Sequence, residues 1–156
     1  HVDAAASTVG RARRNATLSG LQSAPIRWIS EDVRRFVRRE IRRGARYEVV
    51  ILDPPAYGHG KRGETWRIAE DLPGLLDGCA ELTGGRPRMI VLSAHSPGYD
   101  GRRLSGLLRQ AFGTPGRTET RSLSMERGRP IPERSACRRF LDAGELAILE
   151  CDGTGS

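Results

Sequence analysis

The sequence predicts an α/β fold built on a doubly wound, mostly parallel sheet. Three observations carry that expectation. Short runs of β-branched and aliphatic residues alternate with longer segments of helical periodicity. Val49–Leu52 is apolar throughout and Met89–Ser93 nearly so, as in strands covered on both faces. Acidic residues stand at or just beyond the carboxyl ends of successive strands, where an open α/β sheet presents groups to a ligand.

The elements follow in order. His1–Val2–Asp3 reads as the tail of a strand whose beginning is missing, so the chain is expected to be an amino-terminally truncated single catalytic domain over residues 1–156. Ala4–Gly20 has Val9, Ala12, Ala16 and Leu18 loosely at helical spacing, and Gly20 is a natural stop. Ile26–Ile29 is a short strand. Ser30 or Asp32 then caps an amphipathic helix with Val33, Phe36, Val37 and Ile41 on one face. Arg34, Arg35, Arg38, Arg39, Arg42 and Arg43 cover the other face, either as a solvated surface or as a nucleic-acid patch.

Tyr47–Leu52 is the next strand, and His59–Gly63 a basic, glycine-rich loop. Thr65–Leu82 reads as a helix starting near Trp66, which Pro73 and Gly74 should kink or split. Met89–Ser93 is a buried strand, Asp100–Phe112 a helix, and Thr118–Met125 and Glu145–Glu150 the last strands. Glu126–Asp142 between them, with Pro130 and Pro132, is expected to be a loop or hairpin tip.

Composition narrows the class. The 156 residues carry a net charge of +7, and every basic residue but Lys61 is arginine. That excess fits a phosphate-binding surface, because the guanidinium fork matches phosphate oxygens, and it equally fits a codon bias. Cys79, Cys137 and Cys151 have neither metal-ligand spacing nor the even number of a disulfide framework, so no metal site is expected. No apolar run reaches membrane-spanning length and no signal peptide opens the chain, so a cytoplasmic protein without membrane partners is expected.

The most informative stretch is Val49–Gly58, V-V-I-L-D-P-P-A-Y-G. Asp53 ends the strand, and Pro54 and Pro55 stop it and stiffen the exit. A carboxylate at a strand tip before such a turn suits a site that grips a planar, amine-bearing substrate; Asp-Pro is also ordinary turn chemistry. Asp3, Asp32 and Asp53 follow three successive strands and should converge on one crevice. An acid at such a position accepts hydrogen bonds from ribose hydroxyls, and an Asp opening the next helix can take an adenine amino group. Each also has a local role available: a turn residue for Asp3, a helix N-cap for Asp32.

The runs H-V-D-A-A-A, R-R-N-A-T-L-S-G-L, I-R-W-I-S-E-D-V-R-R-F and V-I-L-D-P-P-A-Y-G-H-G, in that order, resemble class I S-adenosylmethionine-dependent methyltransferases. Within them the chain is similar to the bacterial ribosomal RNA large-subunit methyltransferases with an Asp-Pro-Pro motif. The match covers the chain to about Ser96. The resemblance implies a Rossmann-like methyltransferase fold, here lacking its first strand and glycine-rich loop. It implies Asp3 at the cofactor's ribose, Asp32 at the adenine amino group and Val33 reading the ring through its backbone. Asp53, with Pro54 and Pro55, would lie beside the transferring methyl group and the target base, and Tyr57 would stack on that base or pack in its own loop.

Methylating cytosine at carbon 5 requires a cysteine nucleophile. Carbon-5 enzymes of this kind place it just after the fifth strand, where this chain has Ser93-Ala94-His95-Ser96. The expected activity is therefore S-adenosylmethionine-dependent methyl transfer to RNA, in ribosomal RNA processing, at an atom other than cytosine carbon 5. His95 is open to a proton-accepting role or a structural one. The alternatives are a non-catalytic RNA-binding remnant of such a domain and a nicotinamide-dependent oxidoreductase.

Overall fold

The computed structural model describes residues 1–60, 63–113, 116–126 and 140–151. Their elements run β1 (Val2–Asp3), α1 (Ala6–Leu18), β2 (Ile29–Ser30), α2 (Val33–Arg42), β3 (Val49–Leu52), β4 (Tyr57–His59), β5 (Thr65–Arg67), α3 (Ile68–Leu82), β6 (Met89–Ala94), α4 (Gly101–Phe112), β7 (Arg117–Glu126) and β8 (Phe140–Glu150). The α/β class expected from the alternation is the one observed. β1 pairs with β2 and β3 with β6 in parallel, whereas β8 and β7 join antiparallel in the order β3-β6-β8-β7.

The core lies under β6. Alternate residues Ile90, Leu92 and Ala94 point at α3 and α4, where Leu72, Leu76, Leu104 and Leu108 are fully enclosed, and Leu149 of β8 completes the layer. Helices α2 and α4 begin on acid caps. The Asp32 carboxylate accepts from the backbone N–H groups of Arg34 and Arg35, and Asp100 accepts from that of Arg103.

Three elements differ from the sequence reading. Thr65–Arg67 is not helical but pairs with Tyr57–His59 as an antiparallel hairpin; of the expected His59–Gly63 loop, His59 ends β4 and residues 61 and 62 lie outside the described residues. Trp66 explains the choice: on this strand its side chain is buried and its indole N–H reaches the Pro55 carbonyl at 2.8 Å. Helix α3 runs unbroken through Pro73. Pro73 lies near its start, on the exposed side, and the apolar stripe Leu72, Leu75, Leu76, Cys79 and Leu82 anchors the helix regardless. Glu126–Asp142 falls partly outside the described residues, but β7 extends to Glu126 and β8 begins at Phe140.

Between the β1–β2 pair and β3 no backbone ladder forms among the described residues. An open slot takes its place, walled by Val2, Ile29, Val50 and Leu52 and floored by Phe36, Val37 and Leu75. Along β3 the facing residues are bare: Val49 is 42% and Ile51 74% exposed.

Candidate active site

The slot opens at the carboxyl ends of the strands into a cleft of about 1020 Å³. Asp3, Asp32, Val33, Asp53, Pro54 and Pro55 all line it, so the acids singled out from the sequence share one cavity. Tyr57 does not. It stands 52% exposed on β4, its hydroxyl 2.9 Å from His59 Nε2 and its ring edge-on to that imidazole.

Each acid is held differently. Asp3 ends β1, and its Oδ1 accepts the Ala5 N–H at 2.7 Å; Oδ2 has no donor among the described residues. Asp32 has both oxygens engaged. Oδ1 takes the Arg34 and Arg35 N–H groups, and Oδ2 takes Arg34 Nη2 at 3.0 Å. Burial pushes its carboxyl pKa up, but the Arg34 guanidinium and the two backbone donors outweigh that and hold it below the usual carboxylate value. Arg34 is fixed in turn by Asp71 at 2.6 Å. The cap leaves the Val33 N–H, at the first helical position, outside the bonded set and on the cleft wall.

The arginine face of α2 is largely spent within the fold. Arg34, Arg35 and Arg39 pair with Asp71, Glu64 and Glu31, and Arg39 and Arg43 converge on Glu40. Glu40 is 4% exposed and also accepts from the Tyr47 hydroxyl at 3.0 Å. The surface it belongs to is therefore a structural network on this helix.

Asp53 follows β3 where the parallel register places Leu52 beside Leu92, so Ser93 of β6 emerges next to it. Ser93 Oγ donates to Asp53 Oδ1 at 2.6 Å, a short charge-assisted bond, and His95 Nε2 lies 3.3 Å from the same oxygen. Oδ2 of Asp53 and the carbonyl of Pro54 receive no donor from the described residues. Trp66 takes the Pro55 carbonyl, and the Ile68 N–H takes that of Ala56. The turn is thus tied at its far end and presents two adjacent acceptors at its near end.

Neither described cysteine supplies a nucleophile here. Cys79 lines the apolar floor of the slot, 2% exposed, and burial pushes its thiol up to about 12, so it stays protonated. Cys151 follows β8 beside Arg88, at the opposite end of β6 from Ser93. Cys137 lies outside the described residues.

The fold has a counterpart among solved structures. The S-adenosylmethionine-dependent methyltransferase of Agrobacterium tumefaciens superposes with a TM-score of 0.81 at 34% identity, over 96% of this chain and 48% of that one. This is the class I methyltransferase fold. SMU.776 complexed with SAH, at 16% identity and a TM-score of 0.66, shares the same fold over 95% of this chain and 38% of its own.

In sequence, the methyltransferase-fold chain is 33% identical to ribosomal RNA large subunit methyltransferase I of Aeromonas salmonicida over 61 residues, 39% of this chain and 15% of that protein. It is 26% identical to ribosomal RNA large subunit methyltransferase K of Neisseria meningitidis serogroup B over 82 residues, 52% of this chain and 23% of that protein. No family model matches. The chain spans less than half the length of each of these relatives.

Among the described residues no helix is long and apolar enough to cross a membrane, and no three His, Cys, Asp or Glu side chains group as a metal site.

Proposed function

We propose that this chain binds S-adenosylmethionine in the cleft and directs its methyl group to a nitrogen or oxygen atom of RNA. The observation that carries the reading is the placement of Asp3, Asp32 and Asp53 on one cavity at the carboxyl ends of the strands of a methyltransferase fold. The residues present fit the cofactor. Asp3 Oδ2 is unpartnered among the described residues and would accept from ribose hydroxyls. The Val33 N–H and the apolar wall of Ile29 and Phe36 would receive the adenine ring. Asp32, through its cap, fixes the start of α2 and thereby that N–H.

The bound cofactor would supply an electrophilic methyl group on a sulfonium. The protein's own contribution is alignment and a place for a proton. Asp53 Oδ2 and the Pro54 carbonyl offer two acceptors to a group bearing N–H or O–H. Among the described residues no usable thiolate stands at this corner, which disfavours carbon-5 chemistry on cytosine.

RNA as substrate, ribosomal RNA foremost, is supported by the names of the sequence relatives and by the net charge of +7. Catalysis in the cytoplasm belongs to the same reading. Incubating the full-length protein with methyl-labelled S-adenosylmethionine and unmodified ribosomal RNA transcripts tests it. Label should enter the RNA and be recovered on a nitrogen or oxygen of a nucleoside. Label recovered on cytosine carbon 5, or none in any transcript, would refute it.

A further inference from the structure

We infer that Ser93 and His95 are positioning residues that lock the Asp53 carboxylate for a proton-bearing acceptor atom; this rests on the methyl-transfer reading above. The geometry of these two side chains is the reason. Both come from the end of β6 and both meet the same oxygen, Oδ1, at 2.6 Å and 3.3 Å. Rotation of a carboxylate about its Cβ–Cγ bond is otherwise soft. Packing does not restrain this one, since the Asp53 side chain is 65% exposed. The Ser93 hydrogen bond, with the His95 imidazole nitrogen beside the same oxygen, holds the plane and leaves Oδ2, unpartnered among the described residues, to the cleft that Asp53 lines.

His95 is itself backed. Gly144 of β8, at φ 100°, comes so close that a Cβ there would meet His95 Nδ1 at 2.6 Å and the Ala94 carbonyl oxygen at 2.5 Å. A chain of contacts thus runs from the Gly144 backbone to the imidazole, to Oδ1, and leaves Oδ2 for the substrate.

A carboxylate held this way selects chemistry. The acceptor atom's lone pair forms the new bond to the methyl carbon while the carbon–sulfur bond breaks onto sulfur; the acceptor's proton passes to Asp53 Oδ2 and then to water. The charge lost at the sulfonium equals the proton released, and no oxidant or reductant enters. An N–H or O–H acceptor engages Oδ2 before reaction, which an aromatic carbon does not.

The test uses the full-length protein with unmodified ribosomal RNA transcripts, and measures kcat, KM for RNA, calorimetric affinity for S-adenosylmethionine and melting temperature. Ser93→Ala and His95→Ala should each lower kcat by about tenfold or more, with KM, cofactor affinity and melting nearly unchanged. His95→Gln, which restores an N–H donor at similar reach, and Ser93→Thr should recover most of the rate. Alanine variants with wild-type kcat, or no recovery with glutamine and threonine, would overturn the inference while the methyl-transfer reading stands. Wild-type protein that binds no S-adenosylmethionine would overturn both.

Discussion

The two halves of the sheet are built to different standards. Around β6, β8 and α4 the side chains of Leu92, Leu104, Leu108, Ala147 and Leu149 are wholly enclosed. Around β1 and β2 the ladder is two residues long, and β3 leaves Ile51 74% exposed beside an open slot. The candidate site sits on the thin side, with Asp53 65% exposed and Asp32, 13% exposed, held as the cap of α2. Only Asp53 bridges the two, following β3 but held by the Ser93 hydroxyl of β6 with His95 alongside.

The sharpest way to test the contrast is to delete equal volumes on both sides. Leu104→Ala should cost about 2–5 kcal/mol in denaturant unfolding, whereas Ile51→Ala should cost about 0.5 kcal/mol or less. Equal losses would erase the distinction. At the bridge, Asp53→Ala should lower kcat about a hundredfold and leave cofactor affinity close to wild type, read from steady-state kinetics and calorimetry. An equal loss of affinity would place Asp53 with the cofactor-holding acids instead.

Smaller effects belong to the cap that frames the thin half. Asp32→Ala should destabilise by about 1 kcal/mol, through the lost bonds to the Arg34 and Arg35 N–H groups. Its carboxyl pKa is lowered in the folded protein, so the contribution is present above the unfolded value near pH 4 and fades as pH falls through the folded value. A wild-type-minus-mutant difference that grows on acidification would show the sign to be wrong. Smallest of all, Ile51→Lys should reduce light scattering by this chain without shifting its melt, since a charge on an exposed strand blocks edge pairing.

How far the sequence could be read follows the same division. Strands β3 and β6 and the cap at Asp32 were legible because apolar runs and cap residues are local signals. The shared address of Asp3, Asp32 and Asp53 was legible from strand order alone. The β4–β5 hairpin was not, because Trp66 looks like a helix start until the Pro55 carbonyl is near it. The polar face of α2 hid Glu40, whose partner Tyr47 lies beyond the helix end. Ser93 carried no signal of its own. Its place follows from the Leu52–Leu92 register, which no single strand contains.

Calorimetric titration of the full-length protein with S-adenosylmethionine addresses the cleft most directly. Wild type should bind at one site, and Asp3→Ala should bind about tenfold to a hundredfold more weakly, as loss of a charged hydrogen-bond acceptor entails. Heat of binding unchanged by Asp3→Ala, or none with the wild type, would contradict a cofactor held by these acids.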